Sequence, residues 1–158
     1  MELLIAVIAI IGTLLGALVT GKLQERAAGR TEAAMRGEQL RRDRLDAVTN
    51  LAEAISTHRS LMWRRGDAVL KNASTDRVDE LRAQTQESRS QVTRPLVALR
   101  ILVTDPAVRA AADQMVTLTY AMREAYTDAD ALTQAREDAK NACDAFVEAA
   151  AAYFARTA

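Results

Sequence analysis

The chain carries little of what most chemical sites are made from. Its 158 residues include one Cys and one His, which excludes a disulfide scaffold and an intrachain Cys/His zinc site. Two Pro and six Gly exclude a collagenous or proline-rich chain. Aromatic residues make up 4% and charge of either sign cancels, with 21 basic against 21 acidic side chains. No global basic field therefore points to nucleic acid as a partner. No Gly-rich phosphate loop, HExxH, GxSxG or CxxC occurs, so neither an enzyme nor a cofactor is expected. What the chain does hold is apolar residues, 49% of the total, with Ala at 32 positions. Small unbranched side chains in that proportion favour helices over a β fold.

The first apolar segment, residues 3–19, reads LLIAVIAIIGTLLGALV, with Thr13 its only polar side chain. As a helix it rises about 26 Å, and Thr20 and Gly21 bring it near the ~30 Å of a bilayer core. A helix satisfies its own backbone in lipid. A cleaved signal peptide would carry positive charge before the run, where only Glu2 stands. A buried core helix would need uniformly apolar neighbours, and the rest of the chain is amphipathic. Residues 1–21 are therefore expected to form a single transmembrane anchor in the lipid bilayer. Lys22, Arg26, Arg30, Arg36, Arg41, Arg42 and Arg44 all follow it and no basic residue precedes it. The positive-inside rule then places the short N-terminus outside and the rest in the cytoplasm, where the lone Cys143 is kept reduced. Gly12 and Gly16 form a GxxxG pair, extended by Ala9, Thr13 and Thr20 on one face. This spacing lets two helix backbones approach, so a homo-oligomer or a membrane partner can form there, although Gly and Ala are also simply frequent in membrane helices.

Residues 22–44 hold seven basic and four acidic side chains. Arg30, Gly37 and Arg41 interrupt the apolar seam begun by Leu23 and Ala27, as in a charged, solvent-bridging helical stalk. Its net positive charge also suits anionic headgroups. From residue 45 the pattern tightens into an expected antiparallel bundle of about four helices, residues 45–158. Leu45, Val48, Ala52, Ile55, Met62 and Val69 share one face of the first helix, which stops near Lys71. Ser74, Thr75 and Asp76 are good caps for the second. Val78, Leu81, Val92, Leu96, Leu99 and Val103 line that helix, with Thr85 and Ser88 as a weak middle and Pro95 predicting a kink or a break. Thr104, Asp105 and Pro106 start the third helix, which buries Val108, Ala112, Met115, Leu118 or Thr119, and Met122 and runs to about Tyr126. The fourth presents Leu132, Ala135, Ala139, Ala142, Cys143, Phe146, Ala150 and Tyr153. The chain's overall architecture is thus all-α. Residues 22–72 are net positive and residues 105–158 net negative, which keeps the basic end at the membrane.

His58 lacks a nucleophile or ligand set at a recognisable spacing and reads as structural or solvent-exposed, and Cys143 lies on an apolar face as a small buried hydrophobe. Trp63, Arg64 and Arg65 form the one aromatic and basic knot, suited either to a partner contact or to completing the core.

The apolar N-terminus with Gly12, Thr13, Leu14, Leu15 and Gly16 is followed by a charged segment holding Arg41, Arg42 and Arg44. An Ala- and Arg-rich helical domain comes next, with Arg over Lys by 18 to 3. Together these resemble small actinomycete membrane proteins, in particular the KilB spread proteins of Streptomyces conjugative plasmids. The resemblance implies a nonenzymatic role in plasmid transfer or intermycelial spread at the hyphal membrane, with plasmid-transfer proteins, among them a separate DNA-translocating ATPase, as partners. It transfers no functional residue. Two other classes fit the residues alone: a growth-inhibiting or stress-related membrane protein whose oligomers perturb the bilayer, and a membrane-tethered regulator that binds nucleic acid through residues 22–44. For the anchor, Gly12→Ile with Gly16→Ile is expected to weaken self-association in a membrane two-hybrid assay, and an unchanged signal removes the glycine face as a contact.

Overall fold

The computed structural model describes the backbone of residues 2–157 and the side chains of residue 32 and residues 34–157. It is helical throughout, with no strand among the described residues. Helix α1 spans Glu2–Leu70, α2 Thr75–Leu102, α3 Pro106–Ala121 and α4 Ala129–Arg156, and a single 3-10 turn, Met122–Ala125, follows α3. The chain divides into two compact units, residues 1–42 and 43–158. Among the described residues no helix is long and apolar enough to cross a membrane. The expected anchor at residues 3–19 lies outside the residues whose side chains are described.

In the first unit the described side chains, residue 32 and residues 34–42, are all solvent-exposed. Arg42 pairs with Glu38 one turn earlier at 3.1 Å, and Arg36 Nε donates to the Glu32 carbonyl at 3.4 Å. Such i,i+4 pairs add a few tenths of a kcal/mol each to an exposed helix. The helix runs through Gly37, whose missing Cβ would meet nothing within 4 Å.

The second unit is the bundle. On α1 the buried stripe includes Val48, Leu51, Ile55, His58, Met62 and Gly66, in steps of three or four. This corrects the expected face at both ends, because Leu45 and Val69 are exposed. The seam turns instead through Leu51, His58 and Gly66, of which His58 and Gly66 are positions that a search for large apolar residues passes over. The stop is as expected: Asn72 takes the left-handed conformation, φ 51°. Ala73 N–H donates to the Ala68 carbonyl at 3.0 Å and Asn72 N–H to that of Val69 at 3.1 Å. These are the paired bonds of a Schellman motif, with Asn in glycine's usual place.

Each following helix starts on a side-chain cap. Ser74 Oγ accepts from Arg77 N–H at 3.4 Å, Asp105 Oδ1 from Ala107 and Val108 N–H at 2.9 and 3.2 Å, and Asp128 Oδ2 from Ala131 N–H at 2.9 Å. They satisfy donors that a helix start leaves free. The hydrogen bonds to Asp105, that from Val108 first, hold its carboxyl below the usual range, and Arg156 near the end of α4 pairs with its other oxygen at 2.9 Å. Helix α2 runs through Pro95, so the expected break is absent. One lost backbone donor does not end a helix whose apolar side is buried at Val92 and Leu99 on both sides of it. Helix α3 ends at Ala121, short of the expected Tyr126.

The main core joins Val48, Leu51 and Ile55 of α1 to Val92 and Leu99 of α2, Val108, Ala112 and Met115 of α3, and Phe146 of α4. Fully buried Leu, Ile or Phe side chains stabilise the fold by about 1.5–3 kcal/mol each. A second, smaller cluster at the opposite end unites Met62, Met122, Leu132 and Ala139. Tyr126 binds that end together. Its hydroxyl donates to the Met62 carbonyl at 2.7 Å, and burial pushes its pKa up to about 12. Gly66 lies beneath it, where a Cβ would fall 2.7 Å from Leu132 Cδ2 and 2.8 Å from the Tyr126 ring. Gly66→Ala is therefore expected to lower bundle stability by roughly 1–3 kcal/mol in urea unfolding, despite alanine's better helix propensity. Gly37→Ala should raise helical ellipticity without lowering the midpoint. A Gly66→Ala protein as stable as the parent would refute the close approach.

Candidate functional site

The inner stripe of α2 is Leu81, Thr85, Ser88, Val92 and Leu99, polar at its centre. Thr85 Oγ1 donates to the carbonyls of Leu81 and Arg82 at 3.0 and 2.8 Å. Ser88 Oγ lies 3.1 Å from the Thr85 carbonyl and 2.8 Å from His58 Nδ1. The imidazole is buried, and it meets the Tyr120 ring edge-on at 5.3 Å between centroids. His58, Ser88 and Tyr120 thus link α1, α2 and α3 through polar and aromatic contacts where apolar side chains would otherwise interlock.

Short polar side chains fill less space than leucines, and the helices leave room on both sides of this seam. On one side Thr57, Leu61, Ala83, Gln84, Glu87, Ser88 and Gln91 line a shallow cavity of about 550 Å³. On the other lies a larger cavity of about 790 Å³, walled by α1, α2, α3 and the 3-10 turn. Arg65, Arg82, Arg89 and Arg123 line it, with Glu124 as its one carboxylate. The Arg89 guanidinium lies over the Tyr120 ring, 4.6 Å from its centroid, and that of Arg65 over Tyr126 at 5.7 Å. Both contacts are cation–π in character and fix where the charge sits. Burial, and secondarily the charge of Arg89, lower the His58 pKa to about 4. The ring is neutral near pH 7 and can both donate and accept.

The knot expected at residues 63–65 is separated by the helical turn. Trp63 packs on the smaller core cluster and takes the Arg136 guanidinium on its face at 4.7 Å. Arg64 is exposed and Arg65 enters the cleft. Of the basic residues expected beside the membrane, Arg36, Arg41 and Arg42 are exposed. Arg44 is half-buried and caps the end of α2, donating from Nε to the Leu102 carbonyl at 2.9 Å. Arg109 does the same at Val103, at 2.8 Å. Two cations on the last carbonyls of one helix complement its dipole. Gly12, Gly16, Lys22, Arg26 and Arg30 lie outside the residues whose side chains are described. Cys143 is a free, half-buried thiol against the main core. Among the described residues no group of His, Cys, Asp and Glu is placed to hold a metal ion.

Reading the sequence alone missed the cleft, since Arg82, Arg89 and Arg123 look like ordinary solvated positions. The available signal was Arg82 and Arg89, seven residues apart and therefore on one face, flanking the only polar stretch of an otherwise apolar stripe.

The KilB plasmid transfer protein family matches residues 45–154, essentially the whole bundle. The chain belongs to the KilB plasmid transfer protein family. Protein KilB of Streptomyces lividans is 37% identical to it over 147 residues, covering 93% of this chain and 95% of the relative. The family is not named for a catalytic activity. No solved structure matches the chain.

A stability profile follows from His58. Its pKa is lower in the folded state, near 4, than the 6.5 of a free imidazole. Between these values the unfolded chain takes up a proton that the folded chain refuses. This contribution to stability is complete above about pH 6.5 and disappears as pH falls toward 4, an effect on the order of 3 kcal/mol. Denaturant titrations from pH 7 to 4 should show the decline, and His58→Gln, which cannot titrate, should flatten it. An identical slope in that variant would place the acid sensitivity elsewhere.

Proposed function

We propose that this chain is a single-pass, nonenzymatic membrane protein of plasmid transfer, acting in intermycelial spread. One observation carries the reading: the family match falls on the bundle at residues 45–154, and the apolar run of residues 3–19 stands ahead of it in the same chain. The similarity to the Streptomyces lividans protein, at 147 residues, is longer than the bundle and extends beyond it. The run is long enough and free enough of charge to cross a bilayer, and the basic side chains that follow favour a cytoplasmic bundle. In this arrangement the anchor fixes the bundle at the membrane, where plasmid-transfer proteins are its partners, and the Gly12 and Gly16 face can pair two copies.

The role needs no catalytic group. A protein that positions others works through surface and oligomeric state, and the bundle offers a rigid core beneath a charged exterior. Cells expressing the full chain should retain it in the membrane pellet after a high-salt or alkaline wash. A chain lacking residues 2–21 should move to the supernatant and fail to support plasmid spread through recipient mycelium. A reporter fused after Ala158 should be active only in the cytoplasm. Full-length protein in the detergent-free supernatant, or undiminished spread by the truncated chain, overturns the proposal.

A further inference from the structure

We propose that the cleft between α1, α2 and α3 is a binding site for a small phosphate-bearing molecule, with Arg65, Arg82, Arg89 and Arg123 as its anion-binding groups. The proposal concerns the bundle alone and stands whether or not the chain is anchored.

The first argument is charge placement. Three separate segments bring four guanidinium groups to one cavity whose lining holds a single carboxylate, Glu124. Elsewhere on the bundle some cations are matched locally, Lys71 with Asp67, Arg77 with Glu80, Arg100 with Asp113 and Arg156 with Asp105, and Arg44 and Arg109 are spent on the carbonyls at the end of α2. Among the described residues none of the four cleft arginines is in an ion pair. Arginine cannot relieve its neighbours by losing a proton, since a guanidinium keeps its charge in proteins. The repulsion therefore persists until an anion enters.

The second argument is an unspent donor. Arg65 Nε is buried and has no hydrogen-bond partner, an uncommon state for a charged group in a native interior. Tyr126 and Tyr120 hold the Arg65 and Arg89 side chains from behind by cation–π contact, so these two groups are ordered before any ligand arrives. Planar forks of N–H donors match phosphate oxygens, often in pairs. Gln86 and the neutral His58 add uncharged hydrogen-bonding groups to the same wall, while the Thr85 and Thr117 hydroxyl protons are already given to backbone carbonyls.

Size selects a small ligand. A cavity of about 790 Å³ lies within the range of about 300–1,000 Å³ usual for small-molecule sites. A nucleic-acid strand would instead call for an extended basic groove with aromatic faces open for stacking, whereas Arg89 already covers the Tyr120 ring. The chemistry that fits is a compact group with two or more phosphate charges, carried by a nucleotide or standing alone as pyrophosphate.

The test uses the full chain in detergent, titrated with inorganic pyrophosphate and separately with ATP, by calorimetry and by NMR of the imidazole. His58 is the only histidine, so its ring signals report on this cleft alone. Pyrophosphate should bind saturably, shift the His58 resonances and weaken as salt rises. Arg82→Gln, which leaves the Tyr120 contact in place, should weaken binding roughly tenfold, and Arg82→Gln with Arg89→Gln should weaken it further. Arg100→Gln, outside the cleft, should bind as the parent does. Tighter binding of ATP than of pyrophosphate would identify a nucleotide as the ligand class, and equal binding would identify the phosphate group itself. No saturable binding of either, binding that leaves the His58 signals in place, or unchanged affinity in a folded Arg82→Gln protein overturns the proposal.

Discussion

The buried contact between His58 and Ser88 sets the character of the bundle. Two polar side chains face each other where α1 and α2 would otherwise exchange apolar ones, and burying such groups is tolerable only when they are hydrogen-bonded. That requirement fixes register, because sliding α2 by one turn along α1 would leave an imidazole and a hydroxyl without partners. It also keeps the two helices from closing tightly, which opens a cavity on each side of the seam. The acid sensitivity of the ring and the presence of the arginine cleft thus share one cause, a polar interruption in a hydrophobic stripe.

Around that seam the bundle is closed at both ends. The main core gathers the large apolar side chains of all four helices, while the smaller cluster relies on close backbone approach at Gly66 and on the Tyr126 hydroxyl reaching a carbonyl of α1. Arg44 and Arg109 tie the end of α2 to α1 and α3 through its last carbonyls. These fixed ends hold the middle of α2 in place although its own apolar contacts there are few, and a cavity can persist without collapse.

Family membership and cleft geometry address different parts of the protein's work. The family match covers the bundle and concerns plasmid transfer. The cleft lies inside that matched region and presents cations to a small anion. A phosphate-bearing ligand held between α1, α2 and α3 would stabilise the bundle by mass action, adding contacts where the α2 stripe is polar. The proposed anchor belongs to the other compact unit, residues 1–42.

Much of the fold was legible before any coordinates. Alternation of three- and four-residue steps located α3 and α4 and nearly all of their buried positions, because an amphipathic helix must turn its apolar face inward whatever its neighbours are. Caps at Ser74 and Asp105 are local chemistry, readable within four residues. On α1 the reading misplaced Leu45 and Val69 and passed over Leu51, His58 and Gly66, since composition does not say which of two adjacent faces a partner will cover. The continuity of α2 through Pro95 was likewise a tertiary outcome: packing on both sides of the proline outweighs one missing hydrogen bond. The cleft as a whole could not be read, although Arg82 and Arg89 share a face of α2. Arg65, Arg82, Arg89 and Arg123 are separated by as many as 58 residues in sequence, and an arginine on a helix looks solvated until three helices are seen to converge on it. Sequence alone therefore determined where helices form and which side of each is apolar, because those depend on neighbours a turn away. Tertiary structure alone decided which charges share a space, because that depends on how the helices are held apart.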